Sequence, residues 1–204
     1  MANTAQKPIV LGLTGSIATG KSTVAGMFAK RDIPIYDADK AVHELYEGEA
    51  VAPMRELFPE AIINGKIDRA ALSKQVVGNA ENLAKLEALI HPMVQQKMHK
   101  FLDQAAEDKE ELAILEIPLL FETGKNYPTD FVAVTFCDPE IQKQRALARP
   151  GMTEEKLDAI IARQMPQHEK RARADFEIDT GTDQMQTQSA VDEIIKACLA
   201  AKAH

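Results

Sequence analysis

Apolar residues along this chain follow two different periods, and the switches between them outline the fold. Short strand-like segments, most of them apolar, occupy residues 9–14, 34–36, 112–117, 131–136 and 176–179. Runs of that length between turn residues read as strands buried on both faces. Elsewhere apolar positions recur at i, i+3, i+4, the stripe of an amphipathic helix. Val24, Met27 and Phe28 make one such stripe after the first strand. Val191, Ile194, Ile195, Cys198 and Leu199 make a longer one near the C-terminus, expected to pack on the core rather than on a partner. Strands alternating with helices predict an α/β fold, a five-stranded parallel sheet flanked by helices and joined by right-handed crossovers.

Residues 39–109 are too many for a single crossover. Leu83, Leu86 and Ile90 form one stripe, and Val94, Met98, Phe101, Leu102 and Ala105 form another. Between them stands His91-Pro92, which predicts a break, with Pro92 in the first turn of a new helix. Turn signals gather at Phe58-Pro59 and Asn64-Gly65-Lys66. The pattern predicts a helical insertion that carries an acceptor substrate. A second, mostly polar helical segment from Glu140 to about Ala172 carries Arg145, Arg149, Arg163 and Arg171. Its place after the fourth strand suits a mobile lid. The expected division is a nucleotide-binding core of residues 1–38, 110–139 and 174–204, an acceptor domain of 39–109 and a lid of 140–173.

Composition narrows the class of partner. With 204 residues, 45% of them hydrophobic, the chain has enough apolar surface for a real core. A formal charge of −7 argues against a broad surface for nucleic acid or anionic membrane. Two cysteines, Cys137 and Cys198, give no disulfide framework and fit a reducing cytosol. The first eight residues lack the apolar region of a signal peptide, and no apolar run reaches the length of a membrane span. The expectation is a soluble cytoplasmic protein acting on small molecules, its oligomeric state left open. His43, His99, His168 and His204 show no metal-ligand spacing.

The densest chemistry follows the first strand. Gly15-Ser16-Ile17-Ala18-Thr19-Gly20-Lys21-Ser22 fits the phosphate-loop pattern GxxxxGK[ST], between a strand and a helix as that motif requires. Glycines let the backbone approach a polyphosphate, and N–H groups at a helix N-terminus point at it. Lys21 adds a mobile charge for the β- and γ-phosphates, and Ser22 a hydroxyl for Mg²⁺. A nucleoside triphosphate site is therefore expected.

Three other constellations fall at strand ends or on the polar segment. Asp37-Ala38-Asp39 follows the second strand, where open α/β sheets bind ligands. One of these carboxylates could accept a proton from an acceptor hydroxyl or hold Mg²⁺ through water; the other reading is a helix N-cap. The third strand closes on Glu116, as a Walker-B strand does, before Pro118-Leu119-Leu120-Phe121-Glu122. That apolar turn reads either as a face for adenine or as a plug over the core. Arg145 and Arg149, four residues apart, are expected on one face of the lid helix, as a phosphate clamp or as a solvated surface.

Taken together, these residues resemble the dephospho-coenzyme A kinase family. The resemblance rests on the phosphate loop after Leu13-Thr14, on Asp37-Ala38-Asp39 and on Ile67-Asp68-Arg69-Ala70-Ala71-Leu72. It continues through His91-Pro92-Met93-Val94, residues Pro118 to Glu122, Gln144-Arg145 with Arg149, and Ala174-Asp175-Phe176-Glu177-Ile178-Asp179-Thr180-Gly181. The motifs stand in order and cover most of the chain. Ser16, Ala18 and Thr19 depart from the family's frequent Gly, Gly and Ser, and Glu116 from its frequent Asp. Pro150 stands where an acid is usual, and Thr180 where Asn is common.

The resemblance implies transfer of the γ-phosphoryl of ATP, with Mg²⁺, to the ribose 3′-hydroxyl of dephospho-coenzyme A, the last step of coenzyme A synthesis. It implies Asp37 as base, with Lys21 and Arg149 acting on the transferred phosphate. Gly15, Ser16, Ile17, Ala18, Thr19, Gly20, Lys21, Ser22, Thr23 and Arg145 would hold the nucleotide, with Ser22 toward the metal. Thr14, Asp37, His91, Pro118, Leu119, Leu120 and Phe121 would hold the acceptor. The nearest rival is a nucleoside or nucleoside monophosphate kinase of the same fold, which acceptor choice would discriminate. A non-catalytic nucleotide switch is a more distant rival, since it would need neither Asp37 nor the arginines.

Overall fold

The computed structural model describes residues 7–201. Strand β1 (Ile9–Gly15) leads through the glycine loop into α1 (Lys21–Ala29) and then β2 (Ile35–Asp37). Next come α2 (Ala38–Glu47), α3 (Val51–Leu57), β3 (Ile62–Ile63), β4 (Lys66–Ile67), α4 (Arg69–Val76) and the long α5 (Ala80–Glu107). The chain returns through β5 (Leu112–Glu116), β6 (Phe131–Phe136), α6 (Pro139–Leu147), α7 (Glu154–Ile161) and α8 (Gln167–Arg173). It ends with β7 (Phe176–Asp179) and α9 (Gln184–Ala201).

The expected α/β architecture is present, a five-stranded sheet in the order β2-β5-β1-β6-β7. β1 lies at its centre with all seven residues buried, which is why it reads as an unbroken apolar run. It pairs parallel with β5, Ile9 opposite Leu112, and with β6, Leu11 opposite Phe131. β6 pairs parallel with β7. Leu11, Leu13, Val24, Phe28, Ile114, Ile178, Val191 and Cys198 share one core cluster, so the C-terminal stripe does face the core.

Two compact units make up the fold. One combines the residues up to Tyr36 with those from Gln104 onward and contains the five-stranded sheet; the other is Asp37–Asp103. The second unit has its own core around Leu45, Met54, Phe58, Leu72 and Ile90. It includes a small antiparallel hairpin of β3 and β4 that the sequence reading saw only as a turn. Asn64 and Gly65 both take positive φ, 51° and 78°, the conformation of a two-residue type I′ connection.

Two sequence expectations need correction. No helix begins at Pro92: α5 runs through it as one helix of 28 residues. An interior proline removes a backbone hydrogen bond and crowds the carbonyl four residues earlier. Leu86, Leu89, Ile90, Met93 and Val94 pack on the same core from both sides of Pro92, and that burial holds the helix through it. The expected polar lid helix is, conversely, three short helices, α6, α7 and α8. Pro150 with Gly151 (φ 73°) separates the first two, and Pro166 caps the third. The first two open on side-chain caps, Asp138 before Pro139 and Thr153, which accept from backbone N–H groups.

Candidate active site

The glycine loop is built by close approach on one side and by a strained turn on the other. A Cβ at Gly15 would lie 2.1 Å from Thr135 Oγ1, so a side chain has no room there. Gly20 has φ 81°, and a Cβ on it would fall 2.9 Å from Thr180 Oγ1. Between them Ala18, which has a Cβ, also sits at positive φ, 60°. Thr19 Oγ1 donates to Ser16 O at 2.8 Å and lies 2.9 Å from Thr135 Oγ1, bracing the loop against β6. α1 has no side-chain cap, so its first N–H groups are left for an anion.

Lys21 opens α1 and forms an ion pair with Glu116 at the end of β5. Ser22 Oγ donates to the same carboxylate oxygen, Oε1, at 3.3 Å. Glu116 is 5% exposed, so the pair is largely withdrawn from water, where electrostatic interactions are strong. Lys21 and Ser22 of the phosphate loop and Glu116 of the third apolar strand, two motifs far apart in the sequence, thus converge within hydrogen-bond reach. Among the described residues, no group of three or more His, Cys, Asp or Glu could hold a metal by itself.

Beside the loop lies a cavity of about 370 Å³, lined by Ala18, Gly20, Thr23, Arg145, Arg149 and Thr180 among others. Arg145, in the last turn of α6, donates through its two terminal nitrogens to Thr180, at 3.1 Å to Oγ1 and 2.8 Å to the carbonyl. The Thr180 hydroxyl in turn donates to Thr19 O at 2.9 Å, tying the segment after β7 to the glycine loop. Arg149 lies beyond the end of α6, in the turn before Pro150. The two arginines therefore share a cavity wall and not the helix face expected of them.

Asp37 is both the last residue of β2 and the N-cap of α2: its Oδ1 accepts from Lys40 N at 3.0 Å. The cap is Asp37, not Asp39, and it uses one carboxylate oxygen. Asp39 lines a separate cavity of about 500 Å³ within the Asp37–Asp103 unit, together with Tyr46, Arg69, Leu72 and Leu86. The Arg69 guanidinium lies 5.6 Å from the centre of the Tyr46 ring. Burial pushes the Tyr46 hydroxyl above its ordinary range, and the Arg69 charge partly offsets the shift.

The apolar turn after β5 divides its labour. Thr14 Oγ1 donates to Pro118 O at 3.2 Å, which brings two of the acceptor candidates together. Leu120 is 7% exposed and fills the space above Gly12, so it plugs the core, whereas Leu119 is 40% exposed. Phe121 is half-buried, and His91 lies in the interior of α5.

Sequence reasoning missed a buried ion pair behind this turn. Lys170 of α8, with a fully buried side chain, lies 2.8 Å from Glu122 Oε1. The same oxygen accepts from Met165 N at 2.9 Å, while Oε2 is buried without a partner among the described residues. Gln142 and Gln164 were missed as well, and both reach the glycine loop.

A parallel sheet with a glycine loop, a lysine and a hydroxyl at the start of α1, and arginines on an adjoining wall define a P-loop kinase. The sequence model described as dephospho-CoA kinase matches residues 9–186, and the chain belongs to that family. A dephospho-CoA kinase of Mesorhizobium japonicum is 51% identical over 187 residues, covering 92% of this chain and 95% of the relative. One from Rhodopseudomonas palustris is 48% identical over 189 residues, covering 93% and 95%. The fold is also that of a crystal structure from Thermus thermophilus, with a TM-score of 0.85 and 32% identity over 94% of this chain and 98% of the other. A dephospho-CoA kinase structure from Campylobacter jejuni gives a TM-score of 0.72 at 25% identity, over 95% and 98%. Among the described residues, no helix is long and apolar enough to cross a membrane.

Proposed function

We propose that this chain transfers the γ-phosphoryl group of ATP to the ribose 3′-hydroxyl of dephospho-coenzyme A, in the cytoplasm and with Mg²⁺. The observation that carries the reading is the convergence of Lys21, Ser22 and Glu116 at the uncapped start of α1. Phosphoryl transfer asks a protein mainly for positioned charge, and this site supplies it. The uncapped N–H groups at the start of α1 and Lys21 hold the phosphates, and Arg145 and Arg149 face the nucleotide from the cavity wall. Ser22 and Glu116 offer oxygen donors of the kind Mg²⁺ takes from proteins when phosphates complete its shell. When bound, Mg²⁺ neutralises charge developing on the transferred group.

Asp37 acts as the base that orients the acceptor hydroxyl and takes its proton, with the capping bond holding its carboxylate in place. The helical insertion, residues 39–109, is the acceptor domain, and residues 140–173 are the lid. Thr14 and the turn from Pro118 to Phe121 are assigned to the acceptor, and so is His91 of the inserted unit. The cavity around Tyr46 and Arg69, lined by Val42, Leu72, Val76 and Leu86 together with Asp39 and Ser73, suits an arm that is itself mostly apolar with amide groups.

The test is acceptor choice. Purified protein is incubated with ATP, Mg²⁺ and, in turn, dephospho-coenzyme A, adenosine and AMP, and the products are examined by NMR. Phosphate on the 3′-oxygen of dephospho-coenzyme A, with adenosine and AMP poor in both kcat and KM, is the expected result. Phosphate on another oxygen, or AMP used equally well, overturns it in favour of a nucleotide kinase.

A further inference from the structure

Both backbone groups of Ile17, at the apex of the glycine loop, are held by glutamine side chains. Ile17 N donates to Gln164 Oε1 at 2.9 Å, and Gln142 Nε2 donates to Ile17 O at 2.8 Å. Gln142 is 6% exposed. Its other amide atom, Oε1, accepts from Gln167 Nε2 at 2.8 Å, and Gln167 Oε1 accepts from Cys137 N at 3.2 Å. The chemistry of the two ends fixes the direction of the whole chain of bonds. Cys137 N–H can only donate and Ile17 C=O can only accept, so each amide between them has one allowed orientation. Three hydrogen bonds run in one direction from Cys137 N through Gln167 and Gln142 to Ile17 O.

This arrangement sits next to a strained residue. Ala18, immediately after Ile17, has φ 60°, a region that residues with a Cβ avoid at a cost of order 1 kcal/mol. Left alone, the loop would relax by turning the 17–18 peptide plane, and the Ala18 N–H that this plane carries would turn with it. Gln142 holds the carbonyl of that plane, and Gln164 holds the N–H of the plane before it.

We propose that Gln142, Gln164 and Gln167 are positioning residues that hold the glycine loop in its phosphate-receiving form against the strain at Ala18. None of them needs to touch the nucleotide. The three side chains come from α6, from the segment after α7 and from the first residue of α8, so the polar region beyond β6 is bonded directly to the loop. This inference rests on the reading that the loop holds ATP phosphates, and the experiment keeps the two apart by measuring nucleotide binding without an acceptor.

ATP·Mg²⁺ affinity is measured by calorimetry for the wild-type protein, Gln142→Leu, Gln142→Glu and Gln164→Leu, each alone and combined with Ala18→Gly, with Tm recorded for all. Loss of one hydrogen bond from a strained loop is expected to weaken ATP binding roughly tenfold in Gln142→Leu and Gln164→Leu. Gln142→Glu should bind at least as poorly as Gln142→Leu, because its carboxylate still accepts from Gln167 but meets Ile17 O with an acceptor. Glycine at position 18 removes the strain, so Ala18→Gly should restore most of the affinity lost in either leucine variant, whatever happens to Tm. ATP binding within twofold of wild type in Gln142→Glu overturns the proposal. So does a loss in the leucine variants that Ala18→Gly leaves unchanged or that tracks Tm alone. Should Gln142→Leu not fold, Gln164→Leu decides by the same criteria. Failure of the wild-type protein to bind ATP would instead refute the functional reading.

Discussion

The ammonium of Lys21 rests on the carboxylate of Glu116, and the hydroxyl of Ser22 donates to the same oxygen at 3.3 Å. Lys21 thus has a counter-charge within the protein, and on the proposed reading it exchanges that partner when a triphosphate enters. Removing the cation leaves the developing phosphoryl charge without its preorganised partner. Lys21→Ala is therefore expected to lower kcat roughly 10²-fold or more, about 3 kcal/mol on the scale of such contacts. Glu116→Gln should raise the Mg²⁺ concentration needed for half-maximal rate at least roughly tenfold, the effect of losing a charged group that orients a metal site. Steady-state rates across a Mg²⁺ titration check both. Activity within a few-fold of wild type in Lys21→Ala would remove this loop from the chemistry.

On the proposed reading, Asp37 adds the duty of a base to the helix cap that it forms, and one substitution separates the two. Asparagine caps a helix as well as aspartate does, so Asp37→Asn should keep α2 and the fold intact. The base is lost, however, and kcat should fall on the order of 10²–10⁴-fold with ATP affinity nearly unchanged. Collapse of ATP affinity together with turnover would make Asp37 a metal or structural residue.

Arg149 and Arg145 differ in how they are held. Arg145 is anchored on Thr180 through two nitrogens, while Arg149 reaches the cavity from a turn. Planar, forked recognition of phosphate by Arg149 would be lost in Arg149→Lys, which should recover little of the activity missing in Arg149→Ala. Comparable kcat/KM in Arg149→Lys and the wild-type protein would reduce this arginine to a diffuse charge.

The Lys170–Glu122 pair gives a stability prediction. Lys170→Met leaves Glu122 buried and uncompensated, which should cost about 3–5 kcal/mol in urea unfolding. Adding Glu122→Gln removes that charge, keeps an acceptor for Met165 N, and should recover much of the loss. A double variant as unstable as Lys170→Met would show that packing around Lys170, not charge, is what matters.

Cys198 predicts the behaviour of the fold in alkali. Burial in the core, with Asp175 and Asp130 adding to it, pushes this thiol up to about 11 from an ordinary 9.0. The folded chain therefore keeps a proton that the unfolded chain releases. The stabilisation is complete below about pH 9 and is lost as pH rises toward 11. Urea midpoints measured across this window should fall less steeply in Cys198→Ala than in the wild-type protein. Identical slopes would show that other groups control the alkaline limit.

How much of this was legible in the sequence depends on the range of the interaction. The strands were readable because β1 and β5 are buried on both faces and leave unbroken apolar runs. The glycine loop was readable because its pattern is local, eight residues between a strand and a helix, although the residues that crowd Gly15 and Gly20, Thr135 and Thr180, are distant in the chain. Ile90, Val94 and Met98 keep a spacing of four across His91-Pro92, a sign of one helix that the proline signal overrode. Gln142, Gln164, Gln167 and Lys170 left no such trace. Their partners lie far away in the chain, 125 residues for Gln142 and 147 for Gln164, and a polar residue on a helix has no period that betrays burial. Only the fold brings Gln142 and Gln164 to the loop, Gln167 to Gln142, and Lys170 to Glu122.

The position of β1 also sets an order of events for a chain made from its N-terminus. β1 is complete before any of its partners exists, since its neighbours are Leu112–Glu116 on one side and Phe131–Phe136 on the other. Asp37–Asp103 is continuous, so Leu45, Met54, Phe58 and Ile90 are all present to form their own core before β5 is synthesised. Contacts distant in sequence are slow to form, and contacts within a continuous segment are not. The inserted unit is therefore the part able to assemble first. The central strand waits, apolar and unpaired, for the second half of the chain to complete the sheet around it.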